Sequence, residues 1–271
     1  MLVEWFKHLT TPCPPHLKAM GYLKELIAME ARHKRCFDAW ASHLRECRTL
    51  IGKASEGIKH KKVTVLGSGL LLDIPLEDLA ETFEEVQLVD ILHMPAVQKQ
   101  AQAFANVTLI STDLSGIAEA TLDHVEEGRT GPLPAASIDA ELFANSDLVV
   151  SANLLTQLPL IPLGLLQGRA PSYSDDEVKA FARAIIDSHL ELLASLPGRV
   201  CLLTETERVI YGGSEGDQMI EEIDPLFGAA IPASGRKWTW TIAPRPEINR
   251  HIDLRFRMTG IADLNLSGSS R

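Results

Sequence analysis

The stretch Val63-Thr64-Val65-Leu66-Gly67-Ser68-Gly69 decides the fold class of this 271-residue chain. A short β-rich apolar run ends in Gly-x-Gly, and a helix is predicted soon after it, from about Pro75. Glycine at such a turn allows positive φ values and lets a ligand approach the backbone closely. The N-terminus of the following helix adds free N–H donors. The stretch therefore predicts a ligand-binding turn at the carboxyl end of a strand.

The rest of the chain continues this alternation of strands and helices. Further strands are predicted at 85–90, 107–110, 147–151 and 199–204, helices at 75–82, 94–104 and 174–195, and loop insertions at 125–145 and 158–173. Alternation of this kind indicates βαβ units and a parallel sheet. Lys237–Ile242 and Ile252–Met258 are separated by too few residues for a helical crossover, so they should pair antiparallel.

These patterns together predict the fold class and the domain organisation. The fold is α/β, a doubly wound, mostly parallel seven-stranded sheet with an antiparallel C-terminal strand pair, preceded by a small N-terminal helical segment. Apolar residues recur at helical spacing over 17–27 and 36–51, which predicts an N-terminal helical cap at 1–58. The Rossmann-like domain is expected at 59–271.

Composition limits the class of protein. With 45% hydrophobic and 23% charged residues, the chain has a globular composition. It contains no apolar run long enough for a membrane span, and its first residues lack the layout of a signal peptide, so a cytoplasmic protein is expected. Four dispersed cysteines favour free thiols.

Charge is unevenly distributed along the chain. Residues 1–62 hold 12 Lys and Arg against 6 Asp and Glu, whereas residues 63–271 hold 14 against 30. We interpret the basic segment as packing against its own acidic domain. A nucleic-acid partner is disfavoured, although the basic segment does not exclude one.

An acidic residue follows the glycine turn at the expected distance. Asp90 closes the next predicted strand, 21 residues after Gly69, where a carboxylate can accept hydrogen bonds from ribose hydroxyls. The dinucleotide fingerprint G-x-G-x-x-G fails because its third glycine position is Leu72. No P-loop sequence is present. The ligand predicted by these residues is a nucleoside-type cofactor other than a dinucleotide.

Four segments in order resemble the motifs of class I S-adenosylmethionine (SAM) dependent methyltransferases: 63–69, 88–91, 111–114 and 147–155. The resemblance spans roughly residues 61–258 and implies SAM as the cofactor. It implies a ribose site at Asp90, an adenine site near Asp113, and a sulfonium site near Asn153. The cofactor-binding residues implied are Leu66, Gly67, Ser68, Gly69, Asp90, Ile91, Asp113, Leu114, Ala152 and Asn153.

The sequence departs from this family at two positions. The family often has an acidic residue two positions before the first glycine and a third glycine two positions after the second; here these are Val65 and Leu71. Asp73 is a candidate substitute for the acid, which commonly helps hold the methionine moiety. The departures leave a non-catalytic methyltransferase-like module as an alternative, and an NAD(P)-dependent oxidoreductase as a third.

Two His/Cys pairs could be interpreted as metal ligands. They are His33 with Cys36, and His43 with Cys47 one helical turn apart. Because Cys36, His43 and Cys47 share a stripe with apolar and aromatic residues, we interpret them as buried helix positions and predict no metal.

The reaction is expected to be methyl transfer to a small-molecule acceptor. Candidate acid–base residues lie after predicted strands or in loops: His93, Tyr173, Glu205, Glu207 and Tyr211. None is assigned as catalytic, because methyl transfer from a sulfonium often needs only alignment with the acceptor lone pair. The acceptor and the oligomeric state are not predicted.

Overall fold

A computed structural model describes residues 2–169, 173–213, 218–231 and 235–267 of the chain. The helices in it are α1 (Leu2–Thr10), α2 (Pro15–Met20), α3 (Tyr22–Arg35), α4 (Phe37–Ser55), α5 (Leu76–Thr82), α6 (Pro95–Ala101), α7 (Ala118–Glu126), α8 (Leu160–Arg169), α9 (Asp175–Ser195) and α10 (Leu264–Ser267). The strands are β1 (Lys62–Leu66), β2 (Glu85–Asp90), β3 (Val107–Ser111), β4 (Leu148–Ala152), β5 (Arg199–Gly212), β6 (Gln218–Ile223), β7 (Arg236–Ala243) and β8 (Asp253–Ile261).

The sheet has the order β3-β2-β1-β4-β5-β8-β7, with β6 paired to β5 off this path. Strands β1 to β5 are parallel, and β8 is antiparallel to both of its neighbours. This confirms the predicted fold class: the C-terminal strands β7 and β8 pair antiparallel, and β8 lies between β7 and β5. β1 lies between β2 and β4, where the order of strands reverses, and ligands of doubly wound sheets bind at such a point.

Two parts of the chain differ from the sequence-based prediction. Residues 160–169, predicted as part of a loop insertion, form helix α8. Its buried Leu163 and Leu166 pack in a core cluster with α9, so tertiary packing offsets the low helix propensity of Gly164 and Gly168. The sheet also has an eighth strand: β5 continues to Gly212 and turns back into β6, whose exposed residues give no core-facing pattern.

The N-terminal helices share a core with the sheet. Buried Leu23 of α3 and Cys47 and Ile51 of α4 lie in the same hydrophobic cluster as Val65 of β1 and Leu88 of β2. Helix α4 therefore covers one face of the sheet and takes part in its core. The division of the chain at residue 58 stays a prediction.

The four cysteines are free thiols, and Cys36, Cys47 and Cys201 are buried. Among the described residues, no helix is both long enough and apolar enough to cross a membrane.

Candidate functional site

The turn after β1 is held against the neighbouring strand by its own backbone. The N–H groups of Gly67 and Ser68 both donate to the carbonyl of Val89, at 2.9 and 3.1 Å. Gly67 has a φ of 77°, and a Cβ there would lie 2.8 Å from the Cβ of Leu154. Gly69 has a φ of 51°, and a Cβ there would have only the carbonyl oxygen of Gly67 within 4 Å, at 3.9 Å. Gly67 thus permits close packing beside β4, and Gly69 leaves room for a ligand.

The backbone has a glycine-like conformation at Leu71, two positions after Gly69. Leu71 has a φ of 60°, although its side chain is branched and buried. A left-handed conformation is unfavourable for a residue with a Cβ. The turn therefore holds Leu71 in a backbone conformation that glycine adopts without a steric penalty.

Asp90 connects the end of β2 to the glycine turn. Its Oδ2 accepts a hydrogen bond from the N–H of Gly69 at 2.7 Å, and its Oδ1 accepts one from the N–H of Ile91 at 2.8 Å. Burial raises the pKa of Asp90, and these backbone hydrogen bonds oppose that rise. A carboxylate has about four acceptor sites, so both oxygens keep capacity for further donors.

Asp113 shapes the start of helix α7. Its Oδ1 accepts from the N–H and the hydroxyl of Ser115, and its Oδ2 accepts from the N–H groups of Ile117 and Ala118, over 2.6–2.8 Å. These four donors saturate the carboxylate. Its proposed contact with an adenine amino group stays a prediction, and Leu114 beside it also lines the cleft.

Asn153 and Asp73 meet at the end of β4. Asn153 has a φ of 50°, and its N–H donates to the carbonyl of Leu203 at 2.9 Å. Its Nδ2 donates to Oδ2 of Asp73 at 2.5 Å and approaches Sγ of Cys47 at 3.6 Å. Burial raises the pKa of Asp73, and the hydrogen bond from Asn153 opposes that rise. The side chain of Asn153 therefore fixes the Asp73 carboxylate in the cleft.

His43, Cys47 and Asp73 offer ligand atoms that lie within 4.8 Å of one another, close enough for one metal ion. However, Nδ1 of His43 accepts a hydrogen bond from Nε1 of Trp238 at 3.0 Å. This assigns the proton of the neutral ring to Nε2, which lies 3.6 Å from Sγ of Cys47. Because neither ring nitrogen has a lone pair free for a metal, we interpret the cluster as a hydrogen-bonded wall of the cleft.

Burial keeps the His43 and Cys47 side chains of this cluster uncharged. It lowers the pKa of His43 to about 3. It also raises the pKa of the Cys47 thiol well above its usual range. The His43 ring stacks on Trp240, with centroids 3.9 Å apart. The cluster therefore contributes an aromatic, mostly neutral surface beside the buried carboxylate.

A cleft of about 740 Å³ opens above the carboxyl ends of β1, β2 and β4. Eight of the ten predicted cofactor-site residues line it: Gly67, Gly69, Asp90, Ile91, Asp113, Leu114, Ala152 and Asn153. The other two, Leu66 and Ser68, are fully buried within the strand and turn. The structure thus brings the predicted residues together, and their role as cofactor ligands stays a prediction.

The opposite wall of the cleft comes from the N-terminal cap, from α8 and from β7. Within the cap, α2 and α3 contribute Met20, Tyr22 and Met29 and α4 contributes Trp40 and His43, whereas α8 contributes Ile161 and Leu165 and β7 contributes Trp240. The sequence suggested that the cap and the apolar residues 158–166 would shape the acceptor side, but it did not connect β7 to the site. The five candidate acid–base residues are absent from the described lining of the cleft. Glu205, for example, accepts hydrogen bonds from Thr156 and Arg208 instead.

No protein-family model matches the sequence, and no curated protein sequence matches it. Solved structures do match. A DhpI–S-adenosylhomocysteine (SAH) complex is 14% identical, with 86% of this chain and 93% of that chain covered and a TM-score of 0.38. The 1,6-didemethyltoxoflavin-N1-methyltransferase of Burkholderia thailandensis, with bound 1,6-didemethyltoxoflavin and SAH, is 14% identical, with coverage of 92% and 91% and a TM-score of 0.37.

A zinc-dependent alcohol dehydrogenase from Rhodobacter sphaeroides also matches, at 14% identity and a TM-score of 0.31, over 57% of this chain and 45% of that chain. The similarities therefore include both methyltransferases and a dehydrogenase. With TM-scores below 0.5, they carry no argument about the ligand or the activity of this chain.

Proposed function

We propose that this chain is a SAM-dependent methyltransferase that acts on a small-molecule acceptor. The observation that carries the proposal is the contact between Asp90 and Gly69. It places a carboxylate with spare acceptor capacity beside a glycine turn that is open to the cleft. A ribose diol needs such acceptors, and the atoms beside it need the close backbone approach that Gly69 allows.

The residues of the cleft fit each part of SAM. Asp90 would hold the ribose, Leu114 would lie beside the adenine, and Gly67 and Gly69 would run along the methionine chain. Ala152 and Asn153 would lie near the sulfonium, which supplies an electrophilic methyl group. The residues around them exclude water and orient the acceptor, and orientation alone accounts for a large part of catalysis in such transfers.

The cap and α8 would form the acceptor side of the cleft. Met20, Met29, Trp40, Ile161 and Leu165 make this wall largely apolar. The cleft volume of about 740 Å³ suits a cofactor together with a small acceptor. A small, partly apolar molecule fits this surface better than a nucleic acid, because residues 63–271 are strongly acidic. A cytoplasmic location is part of the proposal, supported by the free thiols.

Isothermal titration with SAM and with SAH tests the proposal. We expect saturable binding of both, with affinity strongly reduced by Asp90→Ala and thermal unfolding of the variant still cooperative. The absence of heat for both ligands with the wild-type chain would remove the proposal. Transfer of labelled methyl groups from SAM to a panel of apolar amines, phenols and thiols would then identify the acceptor class.

A non-catalytic methyltransferase-like module is the second candidate. The observation that favours it is Val65, which is fully buried in the core where the family often has an acidic residue. Normal folding with no binding of SAM or SAH would support this candidate. An NAD(P)-dependent oxidoreductase ranks third, because Leu72 occupies the third glycine position of the dinucleotide fingerprint. Saturable binding of NADH would revive it.

A further inference from the structure

Asp73 is a carboxylate that lines the cleft, and a neutral amide holds it. Its Oδ2 is held by Asn153 at 2.5 Å, and the residue lines the cleft. Arg48 is near enough to lower the pKa of Asp73, but its guanidinium donates to the carbonyl of Leu72 and forms no ion pair with the carboxylate in the described part of the chain. Within the part of the chain that the structure describes, no ion pair involves Asp73. A partly buried carboxylate of this kind is stabilised by a ligand that supplies positive charge.

The carboxylate of Asp73 lies next to the core cluster that contains Val65. Val65, where the family often has that acid, packs in the core cluster that contains Cys47 and Leu71. The carboxylate of Asp73 lies within 4.8 Å of the Cys47 sulfur. Asp73 therefore provides a carboxylate in the loop after the glycine turn, beside a residue that packs in the same core cluster as Val65.

The remaining groups around Asp73 select the kind of cation. His43 is neutral and its ring nitrogens are engaged, which disfavours a transition metal. The amide of Asn153 donates to the carboxylate and leaves its own Oδ1 without a hydrogen-bond partner. A carboxylate oxygen together with an amide oxygen is a pair of acceptors, which suits a primary ammonium group with its three donors.

We propose that Asp73 binds the α-ammonium group at the methionine end of the cofactor, with Asn153 as the positioning residue. The inference rests on the proposed binding of SAM. It places the ammonium beside the end of β4, on the opposite side of the glycine turn from Asp90. An acceptor amine would share the same chemistry, and the experiment separates the two sources.

The test compares two ligands by isothermal titration: SAH and an SAH analogue in which hydrogen replaces the α-amino group. The wild-type chain should bind SAH roughly 10- to 100-fold more tightly than the analogue, since a charge-assisted hydrogen bond is lost. Asp73→Asn should weaken the binding of SAH by a similar factor and change the affinity for the analogue by less than about threefold. The variant should therefore no longer prefer SAH to the analogue.

Asp90→Asn is the matched control, because both ligands contain the ribose. It should weaken the two ligands equally and keep the preference for SAH. Thermal unfolding shows whether each variant is folded. If Asp73→Asn does not fold, Asp73→Ser replaces it in the same comparison of ligands. A second readout is pH: acidification should weaken SAH binding to the wild-type chain more than to Asp73→Asn.

Three results overturn the inference while leaving the proposed function intact. One is an unchanged preference for SAH in Asp73→Asn. Another is unchanged SAH affinity in that variant, as expected if Asp73 served an acceptor amine. The third is stoichiometric binding of Zn²⁺ that is lost in both Asp73→Asn and His43→Gln. If the wild-type chain binds neither SAM nor SAH, the proposed function itself fails.

Discussion

The imidazole ring of His43 lies flat on the indole of Trp240, with planes inclined by 3°. Burial in this stack lowers the pKa of His43 to about 3, and burial of His189 on helix α9 lowers the pKa of that residue to about 4. Both values lie below the ordinary 6.5 of the unfolded chain. As pH falls, protons therefore bind to the unfolded state first, and the stability that these neutral rings provide above that value is lost.

We accordingly predict acid sensitivity that depends on His189. Between pH 6.5 and about 4, each histidine should lower the free energy of unfolding by up to roughly 1.4 kcal/mol per pH unit. Urea unfolding at a series of pH values measures this slope. His189→Asn should reduce this slope by the contribution of one proton taken up on unfolding. Asp73 and Asp90 contribute equally to the slopes of both proteins, so their raised pKa values do not affect the difference. Equal slopes for the two proteins would contradict the prediction.

The left-handed conformation of Leu71 predicts that a glycine variant at this position is more stable than an alanine variant, the reverse of the order expected within a helix. Leu71→Ala and Leu71→Gly both lose a buried side chain, but alanine keeps the unfavourable positive φ. Leu71→Gly should therefore be more stable than Leu71→Ala by about 1 kcal/mol. At the buried helical Leu79, glycine should be the worse of the two by about 1 kcal/mol. Denaturant unfolding of the four variants checks this, and the same order at both positions would argue against strain at Leu71.

The two glycines of the turn should respond differently to alanine. Gly67→Ala places a Cβ against Leu154 and Ala152, so it should destabilise the fold by roughly 1–3 kcal/mol. Gly69→Ala meets no neighbour closer than 3.9 Å, so it should cost less stability, while its methyl group narrows the cleft. We expect Gly67→Ala to show the larger loss in thermal unfolding. Gly69→Ala should show the larger loss of SAH affinity relative to its loss of stability.

The ion pair of Glu205 predicts that a second substitution can restore the stability lost by a first. This carboxylate is 3% exposed, pairs with Arg208, and accepts a hydrogen bond from Thr156 at 2.6 Å. Arg208→Met leaves the carboxylate buried without its cation and should cost roughly 3–5 kcal/mol. Addition of Glu205→Gln should recover most of that loss, because the buried charge is removed. Urea unfolding of the single and double variants measures both steps. An additive double variant would show that the pair is not coupled.

The sequence predicted the parallel sheet well because its strands are short apolar runs between turn residues. β2 has the predicted bounds, and Asp90 and Gly69 meet as the spacing indicated. Helix α8 was wrongly assigned to a loop, because Pro162 and two glycines mask a helix that packing stabilises. Sequence periodicity reports local burial, so it does not reveal a helix whose stability comes from distant partners.

The aromatic wall of the candidate site was not predictable for a related reason. Trp40 donates a hydrogen bond to the carbonyl of Ile242 across 202 residues of sequence, and it packs edge-on against Trp240. A single sequence does not show which of its distant segments contact one another in the fold. The residues next to the glycine turn could be predicted from the sequence, because the topology of a doubly wound sheet brings the ends of neighbouring strands together.

The buried residues of helix α4 pack in one hydrophobic cluster with those of β1 and β5, and the same helix forms one wall of the cleft. A ligand in that cleft therefore contacts both the cap and the sheet of a single cooperative unit. Its binding energy should raise the unfolding temperature of the whole chain in one transition. A hybrid that joined residues 59–267 to the helices of another protein would lose part of its core together with one wall of the cleft. Substitutions that reshape this wall must therefore also be accommodated by the core that α4 shares with the sheet.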